Sequence, residues 1–144
     1  LDGEGKNQFK ELIKKFEGLH LTEYDDGGWW AVGYGHRYGR IGQESRQTIT
    51  EQRANVLLTE DMNIALAYIR RNIKTQLNQP QVDALVSIIF NTGTGTFARS
   101  ELKKTIDSGN LMLAGNQIVD AFISSPGHRD RRYAESIMFK GGTR

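Results

Sequence analysis

A chain of 144 residues, 38% hydrophobic and 25% charged, carries enough apolar material for one globular core or a small two-lobed unit, which excludes a disordered polymer. Its net charge of +2 mildly favours contact with anionic polymers and falls far short of a dedicated nucleic-acid charge pattern. With no cysteine, a disulfide framework, a thiol nucleophile and a zinc–thiolate site are excluded, and no apolar run reaches the length of a membrane span or a signal-peptide core.

Residues 1–6 are polar and glycine-containing and read as a loose leader. The chain starts at Leu1 rather than Met, so we expect it to be trimmed or cut from a longer protein. From Asn7 onward, Phe9, Leu12, Ile13 and Phe16 recur at helical spacing, with Lys10, Lys14 and Lys15 on the other side and Gly18 as the stop. Glu17 falls in the last turn. There the negative end of the helix dipole and partial burial disfavour a second negative charge and favour the protonated form that a general acid needs.

The stretch from His20 to Gly42 alternates apolar and polar residues, carries six glycines and predicts a small antiparallel sheet or hairpin set. Asp25 and Asp26 precede the Gly27-Gly28 turn. Two carboxyl groups flanking an acetal can divide the work of glycoside hydrolysis, one protonating the leaving oxygen and the other supporting positive charge or activating water. Glu17 and Asp26 can do so if the turn folds back on the helix. Trp29 and Trp30 are candidates for stacking on a sugar ring, with at least one serving packing. His20, His36 and His128 lack ligand-like spacing, so no metal is expected and His36 reads as structural.

Thr48-Ile49-Thr50-Glu51 has the form of a capping box, and Ala54, Leu57, Leu58, Asp61, Ala65, Tyr68 and Ile69 then keep one face of a long connecting helix over 48–72. Pro80 belongs in a first helical turn, and Val82, Leu85, Val86, Ile88, Ile89 and Phe90 leave that helix little polar face, so it is buried. Gly93 and Gly95 follow a helix rather than a strand and read as a turn, not a dinucleotide loop. Short helices are expected over Ser100 to Ser108 and Met112 to Ile123, the latter with Met112, Ile118, Val119, Phe122 and Ile123 inward. Ser125-Pro126-Gly127 breaks the chain before a last helix, opened by Arg129, Arg131 and Arg132 and ending near Gly141.

Glu17-Gly18, Leu21, Tyr24, Asp26 and Val32-Gly33-Tyr34-Gly35-His36 together resemble the catalytic segment of the bacteriophage lysozyme family, glycoside hydrolase family 24. Two further runs are similar to family motifs in the same order: Leu77-Asn78-Gln79-Pro80-Gln81-Val82-Asp83-Ala84-Leu85-Val86-Ser87 with Phe90-Asn91-Thr92-Gly93-Thr94-Gly95 and Phe97, and Arg131-Arg132-Tyr133-Ala134-Glu135. The Glu17–His36 segment is one residue shorter than the family pattern, at the Gly27-Gly28 turn, and the family Thr is Ala31 here.

The resemblance implies an α+β, predominantly helical, lysozyme-like fold: one domain over 1–144, with a small antiparallel β lobe at 18–46 and a helical lobe at 77–141 flanking a groove. It implies a muramidase cleaving the β-1,4 bond between N-acetylmuramic acid and N-acetylglucosamine of bacterial peptidoglycan, in phage-mediated lysis or wall penetration. Glu17 would be the general acid, Asp26 the charge-stabilising carboxylate and Arg132 the group orienting Glu17, while Arg37, Phe97 and Trp30 would bind substrate. Without the family hydroxyl at Ala31, water would be held by Asp26 with Asp25, Glu23 or Tyr34. The alternatives are a lytic transglycosylase giving 1,6-anhydro products and a catalytically weak wall-binding module. The expected partner is peptidoglycan alone, acted on by a monomer with no cofactor, no nucleic acid and no membrane segment, in the periplasm or envelope. A nucleic-acid-binding reading is disfavoured because Lys and Arg are interleaved with Asp and Glu rather than massed on one helix.

Overall fold

A computed structural model of the chain describes residues 3–42 and 47–141, with side chains described from Lys10 onward. Helix α1 (Gly3–Glu17) takes in residues 3–6 of the expected leader, because Glu4, Lys6 and Gln8 are good helix formers and no proline intervenes. Residues 1–2 lie outside the described residues. Gly18 ends the helix in the left-handed region at φ +74, its N–H donating to the Lys14 carbonyl at 3.0 Å. Ile13 faces inward with no exposed surface.

Three strands follow, β1 (His20–Asp26), β2 (Trp29–Gly33) and β3 (His36–Arg40), paired antiparallel in that order. The β1–β2 turn is closed by the Gly28 N–H donating to Asp25 Oδ1 at 2.8 Å, with Gly27 and Gly28 both at positive φ. Beyond the sheet, residues 43–46 are outside the description, and Thr48 then forms a bridge back to Thr22.

That bridge is why the helix cap sits two residues later than the capping-box pattern suggests. Thr50, not Thr48, accepts the Arg53 N–H at 3.1 Å and opens α2 (Glu51–Asn72). Two contacts seat the sheet on α2. A Cβ on Gly33 would come within 3.2 Å of the Ala54 Cβ, so the close approach requires glycine there. The second is the His36 Nδ1 to Asp61 Oδ2 hydrogen bond at 2.8 Å.

The rest is helical: α3 (Gln79–Thr92), α4 (Thr94–Ala98), α5 (Glu101–Asp107), α6 (Leu111–Ile118) and α7 (Pro126–Gly141). α3 carries the capping box, between Asn78 and Gln81, and runs through the middle of the core, packed on α1, α2 and α7. Its Ala84, Leu85, Val86 and Ile88 are fully buried, as the lack of a polar face predicts. Gly95 lies inside the one-turn α4 rather than in an open turn. α6 is shorter than the pattern suggests: it stops at Ile118, and turns lead to Phe122 at φ +54. Met112, expected inward, is 71% exposed in the first turn, while Ala114 and Ile118 make the buried face. The architecture is thus predominantly helical with one small antiparallel sheet, as the sequence led us to expect.

The His36–Asp61 hydrogen bond raises the imidazole pKa above its ordinary 6.5, against the opposing effect of burial. A raised folded-state value means that the pair stabilises fully below the unfolded value and loses its contribution as pH rises through the folded one. Asp61→Asn should therefore lower unfolding free energy at pH 5.5 by about 1.5–3 kcal/mol, the range for a hydrogen bond to a charged group, and by much less at pH 9. Urea titrations at the two pH values check this.

Candidate active site

A cleft of about 930 Å³ separates the sheet from the helical part, and both sequence-selected carboxylates line it. Glu17 reaches it from the end of α1. Asp26, Gly35 and Arg37 come from the sheet side, and Phe90, Asn91, His128 and Arg131 come from the helical side.

Glu17 is held by Arg131. The guanidinium Nη1 donates to Glu17 Oε2 at 2.7 Å, while Nη2 donates to the Ser87 carbonyl at 3.1 Å and Nε to Glu135 Oε2 at 3.3 Å. Ser87 Oγ donates to the same Glu135 oxygen at 2.5 Å. This corrects the expectation for Arg132. That residue is fully buried and turned the other way, donating to Glu135 Oε1 and Asn91 Oδ1, and the neighbouring arginine reaches Glu17 instead. Adjacent residues on a helix point about 100° apart, so only one of the pair can face α1.

With Oε2 engaged, Glu17 Oε1 lies against Gly35. An added Cβ there would sit 2.6 Å from that oxygen, and Gly35 is itself at φ +79. The Gly-x-Gly run thus brings bare backbone up to the carboxyl group. Across the cleft, Asp26 Oδ2 accepts from Arg37 Nε at 3.0 Å, with both side chains substantially exposed.

Other sequence candidates lie elsewhere. Phe97 is fully buried, edge-on to Tyr68 with ring centroids 5.8 Å apart, so it packs the core rather than a sugar. Trp30 is half-buried on β2, cross-strand from Asp25 and Gly39, and is not among the described residues lining the cleft. Ala31 has no exposed surface and stands in the sheet between Tyr24 and Arg37, its cross-strand partners. The three groups considered for holding water are engaged: Asp25 in its turn, Glu23 as acceptor of the Tyr38 hydroxyl, and Tyr34 buried beneath the Lys14 ammonium.

Tyr24, not singled out as a site residue by the sequence, is coupled to the carboxylates. Burial above all, then the charges of Asp26 and Glu17, push its phenol pKa up to about 12, so it stays a hydrogen-bond donor at working pH. Its position two residues before Asp26 on a strand, hence on the same face, was the available signal. Among the described residues, no group of three His, Asp or Glu side chains is arranged to hold a metal ion.

The family model for phage lysozyme matches residues 14–135. The endolysin of Acyrthosiphon pisum secondary endosymbiont phage 1 is 34% identical over 139 residues, covering 90% of this chain and 92% of that protein. The endolysin of Bacillus phage PZA is 34% identical, and the chain spans about half its length, 53%. Among solved structures, the muramidase domain of SpmX from Asticaccaulis excentricus superposes with a TM-score of 0.79 at 28% identity, over 92% of this chain and 94% of that one. Fold, motif order and family match agree: the chain belongs to the phage lysozyme family and is a glycosidase of the lysozyme type.

Proposed function

We propose that this chain is a muramidase that hydrolyses the β-1,4 bond between N-acetylmuramic acid and N-acetylglucosamine of peptidoglycan, with Glu17 as general acid and Asp26 as the opposing carboxylate. The observation that carries the reading is the half-occupied Glu17 carboxyl: Oε2 is fixed by the buried Arg131, while Oε1 stands at the cleft wall beside Gly35. A proton on Oε1 can pass to the glycosidic oxygen as the C1–O bond breaks. Asp26 stabilises the positive charge that develops on C1 and the ring oxygen.

Water then adds to C1 and gives its proton to Asp26. Acid, carboxylate and Arg131 all come from one chain, which suits a monomer. The setting that fits is the bacterial envelope, in phage-mediated lysis or wall penetration.

Mass spectrometry of fragments released from purified peptidoglycan tests the chemistry. The wild type should yield reducing-end muropeptides, and Glu17→Gln should lower their rate of release by about 10²–10⁴-fold at temperatures where it remains folded, its melting temperature lowered by the loss of the Arg131 ion pair. Release by that variant at the wild-type rate would remove Glu17 from the mechanism.

Gly35→Ala should cost about 1–2 kcal/mol of stability from its left-handed backbone. It should also slow release about a hundredfold, because the new methyl displaces Glu17 Oε1 from its productive position. Thermal melts and initial rates on the same preparations separate the two effects.

A further inference from the structure

We infer that Arg37 is a specificity-determining residue whose guanidinium exchanges Asp26 for a carboxylate of the glycan substrate, so that Asp26 becomes available to the reaction only when an anionic glycan fills the cleft. This rests on the assignment of Glu17 and Asp26 above and extends it to the substrate class.

A carboxylate paired with a guanidinium is neutral as a unit, and at a neighbouring anomeric carbon it offers the field of a dipole rather than of a charge. Asp26 tied to Arg37 at 3.0 Å is therefore a poor stabiliser of an oxocarbenium ion. The tie is built to yield. It uses Nε alone, and the side chains are 52% and 39% exposed, so breaking it costs no more than about a fivefold factor.

The contrast with Glu17 is plain, since Arg131 is 3% exposed and anchored on three partners. Arg37 also lies over the turn that carries Asp26, its Nη2 4.0 Å from the place where a Gly27 Cβ would stand. Because it lines the cleft beside Asp26, a carboxylate on the bound sugar next to the scissile bond lies within its reach. Planar, forked guanidinium pairs well with such a group. Peptidoglycan offers carboxylates in two places, on stem peptides and on the lactyl ether where the peptide has been removed. Chitin has the same linkage and neither group.

The test compares kcat/KM of wild type and Arg37→Gln on strands with intact stems, on amidase-stripped strands and on chitin oligosaccharides. Wild type should favour carboxylate-bearing strands. Arg37→Gln should lose about tenfold on them, mainly in KM, as expected for one charge-assisted hydrogen bond. On chitin it should gain severalfold in kcat as Asp26 is released. The strand on which the loss falls identifies the carboxylate: intact strands alone for the stem, stripped strands alone for the lactyl group. Arg37→Lys should recover part of the preference.

An equal change on all three substrates, or none, overturns the inference. If chitin turns over too slowly to compare, the ¹⁵N resonance of Arg37 Nε decides. Displacement by strands and not by chitin oligosaccharides supports exchange, and a resonance unmoved by strands overturns it. Wild-type protein that cleaves no strand, or Glu17→Gln that cleaves as well as wild type, brings down the catalytic assignment itself, a failure distinct from a lost preference alone.

Discussion

One guanidinium holds three helices in register. Arg131 of α7 donates to Glu17 at the end of α1, to the Ser87 carbonyl in α3 and to Glu135 one turn along its own helix, and it is almost wholly buried. Taking these ions out of water costs several kcal/mol each, and mutual pairing offsets much of it: Glu17 and Glu135 face Arg131 and Arg132, Ser87 and Asn91 supply further partners, and Arg132 Nε stays buried without one. Removing one of the charged members leaves an unpaired buried charge, a loss of about 3–5 kcal/mol. The orientation of Glu17 is thereby tied to the rotation of α7 against α3, and a residue 114 positions away in sequence becomes part of the acid's geometry.

The sheet is positioned by different means. Three short strands cannot bury a core of their own, and they are fixed to α2 by fit and by one polar link. Gly33 lets the strand close on Ala54, and His36 binds Asp61 a few turns along the same helix. These contacts set how far the Asp26 edge stands from Glu17 and hence the width of the cleft. Stability and function share the same few residues here, because Gly33, Gly35 and His36 fall within four positions on the chain.

Much of this was legible in the sequence, and the illegible part has a common cause. Helical periodicity with Gly18 as a stop placed Glu17 at a helix end, and turn glycines placed Asp26 beside a hairpin, since both are local rules. The choice between Arg131 and Arg132 depends on which face of α7 meets α3, and two identical neighbours carry no local signal of that. Phe97 fails for the same reason: its motif position says nothing of depth, and tertiary packing against Tyr68 takes it into the core. Thr50 displaced Thr48 as the cap because a long-range bridge to Thr22 claimed the earlier threonine. Met112 read as inward from helical spacing, but it stands exposed in the first turn of α6, and Ala114 and Ile118 make the packed face.

Each cleft carboxylate has an arginine, and burial decides what the arginine does. Around Glu17 burial of Arg131 makes the contact strong, so it holds Oε2 fixed and leaves Oε1 beside Gly35 at the cleft wall. Around Asp26 both side chains stand open to solvent, and the high dielectric there leaves the pair worth about 1 kcal/mol or less. Ala31 sits between these regimes. Small and fully buried, it is flanked across the strands by Tyr24 and Arg37, so the row carries side-chain donors on both sides of a residue that offers none.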